Sequence, residues 1–222
     1  MTLGMVSTPR LLAAAVVAVS TFVAADAAAD GTWYTSVNGP HTGTTQGMFG
    51  AGGVVGNGGT GGPGFTGGFV YGIADPVDFR LQMNLAILLP QGGTAVASII
   101  SPDFVIRPLG HRKQDANFGI NLGPEIFWAA GGGGGLVVFG MKPGCGMSLG
   151  TEKLQFTMNM DFPIYFATAG SLSGTGTRAS IRPSAAIEGA IGSSTNLFFK
   201  LAPQILFDGG FLFIEISAGV TF

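Results

Sequence analysis

The sequence predicts an all-β fold, an antiparallel up-and-down transmembrane β-barrel of about ten strands, with eight and twelve left open, behind a cleaved signal peptide. Three observations predict it. The 222 residues are 46% hydrophobic and only 10% charged, with 39 Gly, and the mean hydropathy is +0.47, an apolar excess that points to a membrane. Beyond the amino-terminal segment, no apolar run nears the roughly 18 residues a spanning helix needs. The apolar residues instead alternate with polar ones over strand-length segments, and a sheet that closes on itself is the only non-helical way to satisfy backbone groups in hydrocarbon.

In chain order, 1–29 read as a secretory signal: Arg10 precedes an apolar core from Leu11 to Val23, and Ala25, Ala27 and Ala29 supply the small cleavage residues. Residues 30–45 hold Trp33, Tyr34 and Pro40 without sustained alternation and read as an irregular lead-in. The barrel is expected over 46–222. Its first strand, 46–56, is Gly-rich, and 57–63 reads as a loop. Strand 64–73 puts Phe65, Phe69, Tyr71 and Ile73 on one face. In the next, Phe79, Leu81, Met83, Leu85 and Ile87 alternate with Asp78, Arg80, Gln82, Asn84 and Ala86. Strand 94–107 contains Pro102, which removes a ladder hydrogen bond and predicts a bulge or imperfect register. A polar loop, 108–116, carries His111, Arg112 and Lys113.

Strand 117–128 ends on Trp128, suited to an interfacial girdle. The run 131–135 has neither a phosphate-loop Lys nor a helix after it and reads as a loop, not a nucleotide cradle. Strand 136–149 sets Lys142 opposite Val137, Phe139, Met141, Cys145 and Met147. The clearest alternation follows: Leu154, Phe156, Met158, Met160, Phe162 and Ile164 against Gln155, Thr157, Asn159, Asp161 and Pro163. A small-residue loop, 169–177, separates it from strand 178–191, and strand 197–207 leads through the turn 208–210 to the closing strand.

That closing strand, 211–222, places Leu212, Ile214, Ile216, Ala218, Val220 and Phe222 on one face and Phe213, Glu215, Ser217, Gly219 and Thr221 on the other. Together with the terminal Phe and the signal segment, it resembles the final strand of bacterial outer-membrane β-barrels. The stretch from Tyr71 to Asp78 is similar to a short-turn hairpin common in them. The resemblance implies that both termini lie in the periplasm and that the protein resides in the outer membrane, in contact with its lipids. It also implies that Phe222, with Val220 and Ala218, forms the signal presented to the barrel-assembly machinery.

Once each strand is phased by its apolar face, the strand charges fall on the other face: Asp78, Asp103, Glu125, Asp161, Glu188 and Glu215 with Arg80, Arg107, Lys142, Lys153, Arg182 and Lys200, six of each sign. In a bilayer this face is the lumen, because a basic residue facing midplane lipid costs about 2–4 kcal/mol. Matched charges predict an ion-paired interior and not a strongly ion-selective pore. The expected role is structural, or a narrow passive conduit for small polar solutes or ions. A secreted soluble β-sandwich with a binding or structural role is the alternative, since alternation alone does not say which face is wet, and an envelope-lipid-modifying barrel enzyme is the third reading.

Catalysis is not expected: His41 and His111 fall outside the strands, away from serines such as Ser184 and Ser217, and the carboxylates Asp161 and Glu188 read as ion-pair partners before an acid and base. Cys145 is the single cysteine, read as a small wall residue, and with two His it offers no metal-ligand spacing. No cofactor is implied. A net charge of −2 without a long basic cluster argues against nucleic acid.

Overall fold

A computed structural model describes residues 40, 42–56, 60–89, 93–108, 116–131, 134–151, 153–170, 178–192, 195–207 and 212–222. The signal segment, most of the lead-in, and His41 and His111 lie outside the described residues. The described chain forms eleven strands: β1 (Thr45–Gly56), β2 (Gly61–Ala74), β3 (Val77–Leu88), β4 (Ala95–Ile106), β5 (Asn117–Gly131), β6 (Gly134–Gly150), β7 (Leu154–Asp161), β8 (Ile164–Gly170), β9 (Arg178–Ala190), β10 (Asn196–Leu206) and β11 (Leu212–Thr221). Each pairs antiparallel with its neighbours, and β11 pairs back onto β1, so the sheet closes.

β7 and β8 form one stave. β6 faces both at a constant offset, Gly144 opposite Asp161 and Met141 opposite Ile164. On the other side β9 does the same, Arg182 opposite Asp161 and Ala179 opposite Ile164. Phe162 and Pro163 interrupt the stave because Pro163 has no N–H to give the ladder. The barrel thus has ten staves.

Exposure settles which face is which. The outward positions carry the exposed apolar side chains, among them Phe104, Ile120, Leu122, Phe156 and Phe199, whereas the largest fully enclosed side chains are led by Arg107, Gln155, Glu125 and Glu188. A soluble domain hides its apolar side chains and shows its charges; here the order is inverted, and the sandwich alternative is overturned. Aromatic packing adds to the outer face, with the Phe79 ring 6.0 Å from Phe69 and 5.6 Å from Phe104.

The closing seam relies on residues without side chains. Gly50 and Gly219 face each other across β1 and β11, and a Cβ on Gly219 would run into the Phe49 carbonyl and the Gly50 Cα. The Phe198 ring, 3% exposed, covers both from inside, filling the space two missing side chains leave. At the end of the seam, the Gly47 N–H donates to the Phe222 carbonyl at 2.8 Å and the Phe222 N–H donates back at 3.0 Å. Gly219→Val is therefore expected to push β11 off β1 and cost about 1–3 kcal/mol. Its check is a lower urea midpoint and a weakened mobility shift on unboiled gels.

Several sequence expectations need correction. Of residues 131–135, Gly131, Gly134 and Gly135 belong to strands and Gly132 and Gly133 lie outside the described residues; Gly131 and Gly134 face each other as a ladder pair, because partner strands dictate pairing where glycines express no preference. Gly61–Pro63 belong to β2 and pair with Val55–Gly53; Pro63 directs its nitrogen toward β3, where that ladder ends, so it breaks nothing on the β1 side. The end of the lead-in lies along β2, Gly43 N–H donating to Gly72 O at 2.7 Å. At Pro102 the register with β3 is continuous, and the expected fault falls on the other side, where the ladder with β5 is interrupted between Ile100 and Phe104. The bulges fall at Gly72–Ala74 and at Phe139–Gly140.

Candidate functional site

Strand parity brings eleven of the twelve charges proposed for the lumen onto the inner face. Lys153 is the correction: it is exposed, at the bend between β6 and β7. Its phase matched the inward set, but the ladder starts one residue later, and phase has no meaning outside a ladder. Val220 and Ala218 point outward on β11, opposite Phe49 and Ala51 of β1.

The inward charges form defined pairs. At the end nearer the termini, Arg107 clasps Asp78 with two guanidinium nitrogens and donates a further bond to the Asp75 carbonyl at 2.9 Å. Nearby, Glu188 accepts from Thr221 Oγ1 at 2.5 Å and from Asn196 Nδ2 at 3.2 Å. Gln155, Thr157 and Ser148 complete this enclosed polar layer. At mid-height, Lys142 meets Asp103 at 2.6 Å and Lys200 meets Glu215 at 3.6 Å. Asp161 accepts from Asn121 Nδ2 at 3.0 Å, and Arg80 stands opposite Asp103 in the register.

Above them lies the most connected cluster. Arg182 of β9 reaches Glu125 of β5 with two bonds of 2.8 Å, the planar fork that guanidinium and carboxylate form best. Glu125 also accepts from Ser101 at 2.9 Å and Tyr165 at 2.5 Å. Arg182 donates to Gln204 Oε1 at 2.8 Å, and Gln204 donates to Ser180 at 3.0 Å. β5 and β9 are separated by two staves, so this pair spans the lumen. Gly140 makes room for it: a Cβ there would press on the Tyr165 ring and the Ile164 carbonyl. Farther from the termini the inner face turns apolar, with Ala97, Ile99 and Val138 buried.

Between the lower layers and the cluster lies a cavity of about 60 Å³, lined by Arg80, Asp103, Lys142, Asp161, Arg182 and Glu215 among others. That volume holds a few waters. Sequence reasoning found the charges of this site but missed Ser101, Asn121, Tyr165, Asn196, Gln204 and Thr221. Their signal was available, since each shares inward parity with a charged residue of its own strand or, for Tyr165, with Asp161 of β7 in the same stave.

No protein-family model and no curated protein matches the sequence. Among solved structures, the chain is similar to the outer-membrane protease OmpT of Escherichia coli, with a TM-score of 0.53 and 7% identity over 80% of this chain and 96% of that one. It also matches the translocator domain of the autotransporter NalP from Neisseria meningitidis, at 0.45 and 12% over 96% and 95%. An outer membrane channel from Pseudomonas putida matches at 0.37 and 8%, over 84% and 98%. The closed antiparallel sheet and the likeness to OmpT give the chain the fold of the outer-membrane β-barrels.

Proposed function

We propose that the protein is an integral β-barrel of the bacterial outer membrane, serving as a structural element or a narrow passive conduit for small polar solutes or ions. Its amino-terminal segment directs export and is removed. Membrane lipids cover its apolar outer face, and the barrel-assembly machinery receives it through the closing strand and Phe222. The observation that carries this reading is the lumen itself: the Arg182–Glu125 pair crosses it, and the space beside that pair is about 60 Å³. Paired charges of opposite sign cancel each other's field and leave little selectivity for either.

A hydrolytic role is disfavoured by register. Asp161 stands opposite Arg182, whereas Glu188 stands opposite Gln155, six residues farther along β9 and so about 20 Å away at the rise of an extended strand. The two carboxylates do not converge on a common bond. In planar bilayers the refolded protein is expected to conduct far below a general porin. Conductance at the porin level would overturn the closed-lumen reading.

A further inference from the structure

Two seams of the barrel wall lack the hydrogen bonds that should close them. Among the described residues, the β4–β5 ladder stops at Ile100 opposite Ile126 and resumes at Phe104 opposite Leu122. The β9–β10 ladder stops at Leu201 opposite Ala185 and resumes at Ile205 opposite Ile181. Counting inward from either side puts Pro102 opposite Pro124, and Pro183 opposite Pro203. These are hydrogen-bonding positions. The Arg107 N–H donates to Pro76 on the β3 side, so Pro102, five residues away and thus at odd spacing from it, turns toward β5. The Ile191 N–H donates to Thr195 and the Phe207 N–H to Ala179, in the phases of Pro183 and Pro203 respectively. Each seam therefore lacks both N–H groups of a pair, halfway up a wall that faces hydrocarbon.

Side chains supply on the inside what the backbone lacks. Ser101 precedes Pro102 and bonds Glu125, which follows Pro124. Arg182 precedes Pro183 and bonds Gln204, which follows Pro203. These are the residues directly opposite each other across the two seams, and the Arg182–Glu125 fork ties one staple to the other. The seams differ in one respect. A Cβ on Gly123 would meet the Pro102 carbonyl, so β4 and β5 close up tightly, whereas Ala202 occupies the corresponding place between β10 and β9. Ser184, Lys200 and Ala202, beside that second seam, line the cavity.

We propose that the Arg182–Glu125–Gln204 cluster is a latch on a lateral opening. When Arg182, no longer held by Glu125, also lets go of Gln204, β9 and β10 separate around Pro183 and Pro203, and the cavity gains a side exit into the bilayer. The exit suits a small amphiphile whose polar group accepts hydrogen bonds, because the first groups it meets are Lys200, Ser184 and Arg182. This inference rests on the reading of the outer face as lipid-covered.

The test uses the full barrel in phosphatidylcholine vesicles, with Cys145→Ala and a fluorophore on Ala202→Cys. Insertion is verified first by the unboiled-gel shift, so that failure of the membrane reading is seen separately. A mid-chain nitroxide fatty acid in the bilayer and iodide in the water serve as the two quenchers. The expected result is little nitroxide quenching in the parent, a gain in Glu125→Gln, and loss of that gain when Pro183→Ala and Pro203→Ala restore the two N–H groups. Unchanged nitroxide quenching in Glu125→Gln, or a gain that survives the alanines, overturns the proposal. A gain seen with iodide alone places the opening along the barrel axis and also overturns it. Should the label prevent folding, hydrogen exchange on the unlabelled barrel carries the same test: Glu125→Gln is expected to deprotect 184–186 and 200–202 but not β2, and the alanines to reverse it.

Discussion

Arg182→Ala is expected to be the costliest single substitution in the lumen, lowering stability by about 3–5 kcal/mol, since removing one partner strands a buried opposite charge. Glu125 is fully enclosed, and its other donors are the hydroxyls of Ser101 and Tyr165, which do not neutralise a carboxylate. The adjoining cavity admits a few waters, so the loss falls toward the lower end of that range. Urea titration in vesicles measures it. Adding Glu125→Gln to Arg182→Ala should recover much of the loss, because the cost lies in the uncompensated charge more than in the missing contact. The coupling between the two sites should then exceed about 1 kcal/mol in a double-mutant cycle. An additive pair of small effects would mean that Glu125 is solvated without Arg182, and that the cluster does not cross-link the wall.

The face of each residue was legible in the sequence because a period of two, held over a whole strand, leaves only two assignments. The run from Leu154 to Asp161 fixes inward and outward without knowledge of its neighbours. Which of the two faces was wet needed low charge content as a second clue. Partners were not legible. Glu125 and Arg182 are 57 residues apart and meet only because the register and the intervening staves bring their levels together. The proline pairs were hidden for the same reason. Pro102 was read as a local fault in one strand, and its meaning depends on Pro124 standing opposite, a property of the ladder and not of either segment. Lys153 and the Gly131–Gly134 hairpin mark the other limit, since where a strand ends is decided by whether a partner is still alongside.

Leu122→Arg carries the second large effect, and it tests the inversion of the whole molecule. Leu122 and Leu154 both point outward and are equally exposed, 50% and 51%. In a soluble protein, arginine at either place would stay within about 0.5 kcal/mol of the parent, as surface substitutions usually do. In a bilayer the two sites are not equivalent. Leu122 lies near the middle of β5, between the outward Phe104 and Pro143 of its neighbours, whereas Leu154 opens β7 beside the turn. Arginine should cost about 2–4 kcal/mol at the first and about 0–1 kcal/mol at the second, because the penalty follows depth in hydrocarbon. Urea titrations of the two variants in vesicles compare them directly, with exposure held constant and depth the only difference. Equal, small effects would mean that water reaches the outer face, and the side exit between β9 and β10 would then have no bilayer to open into.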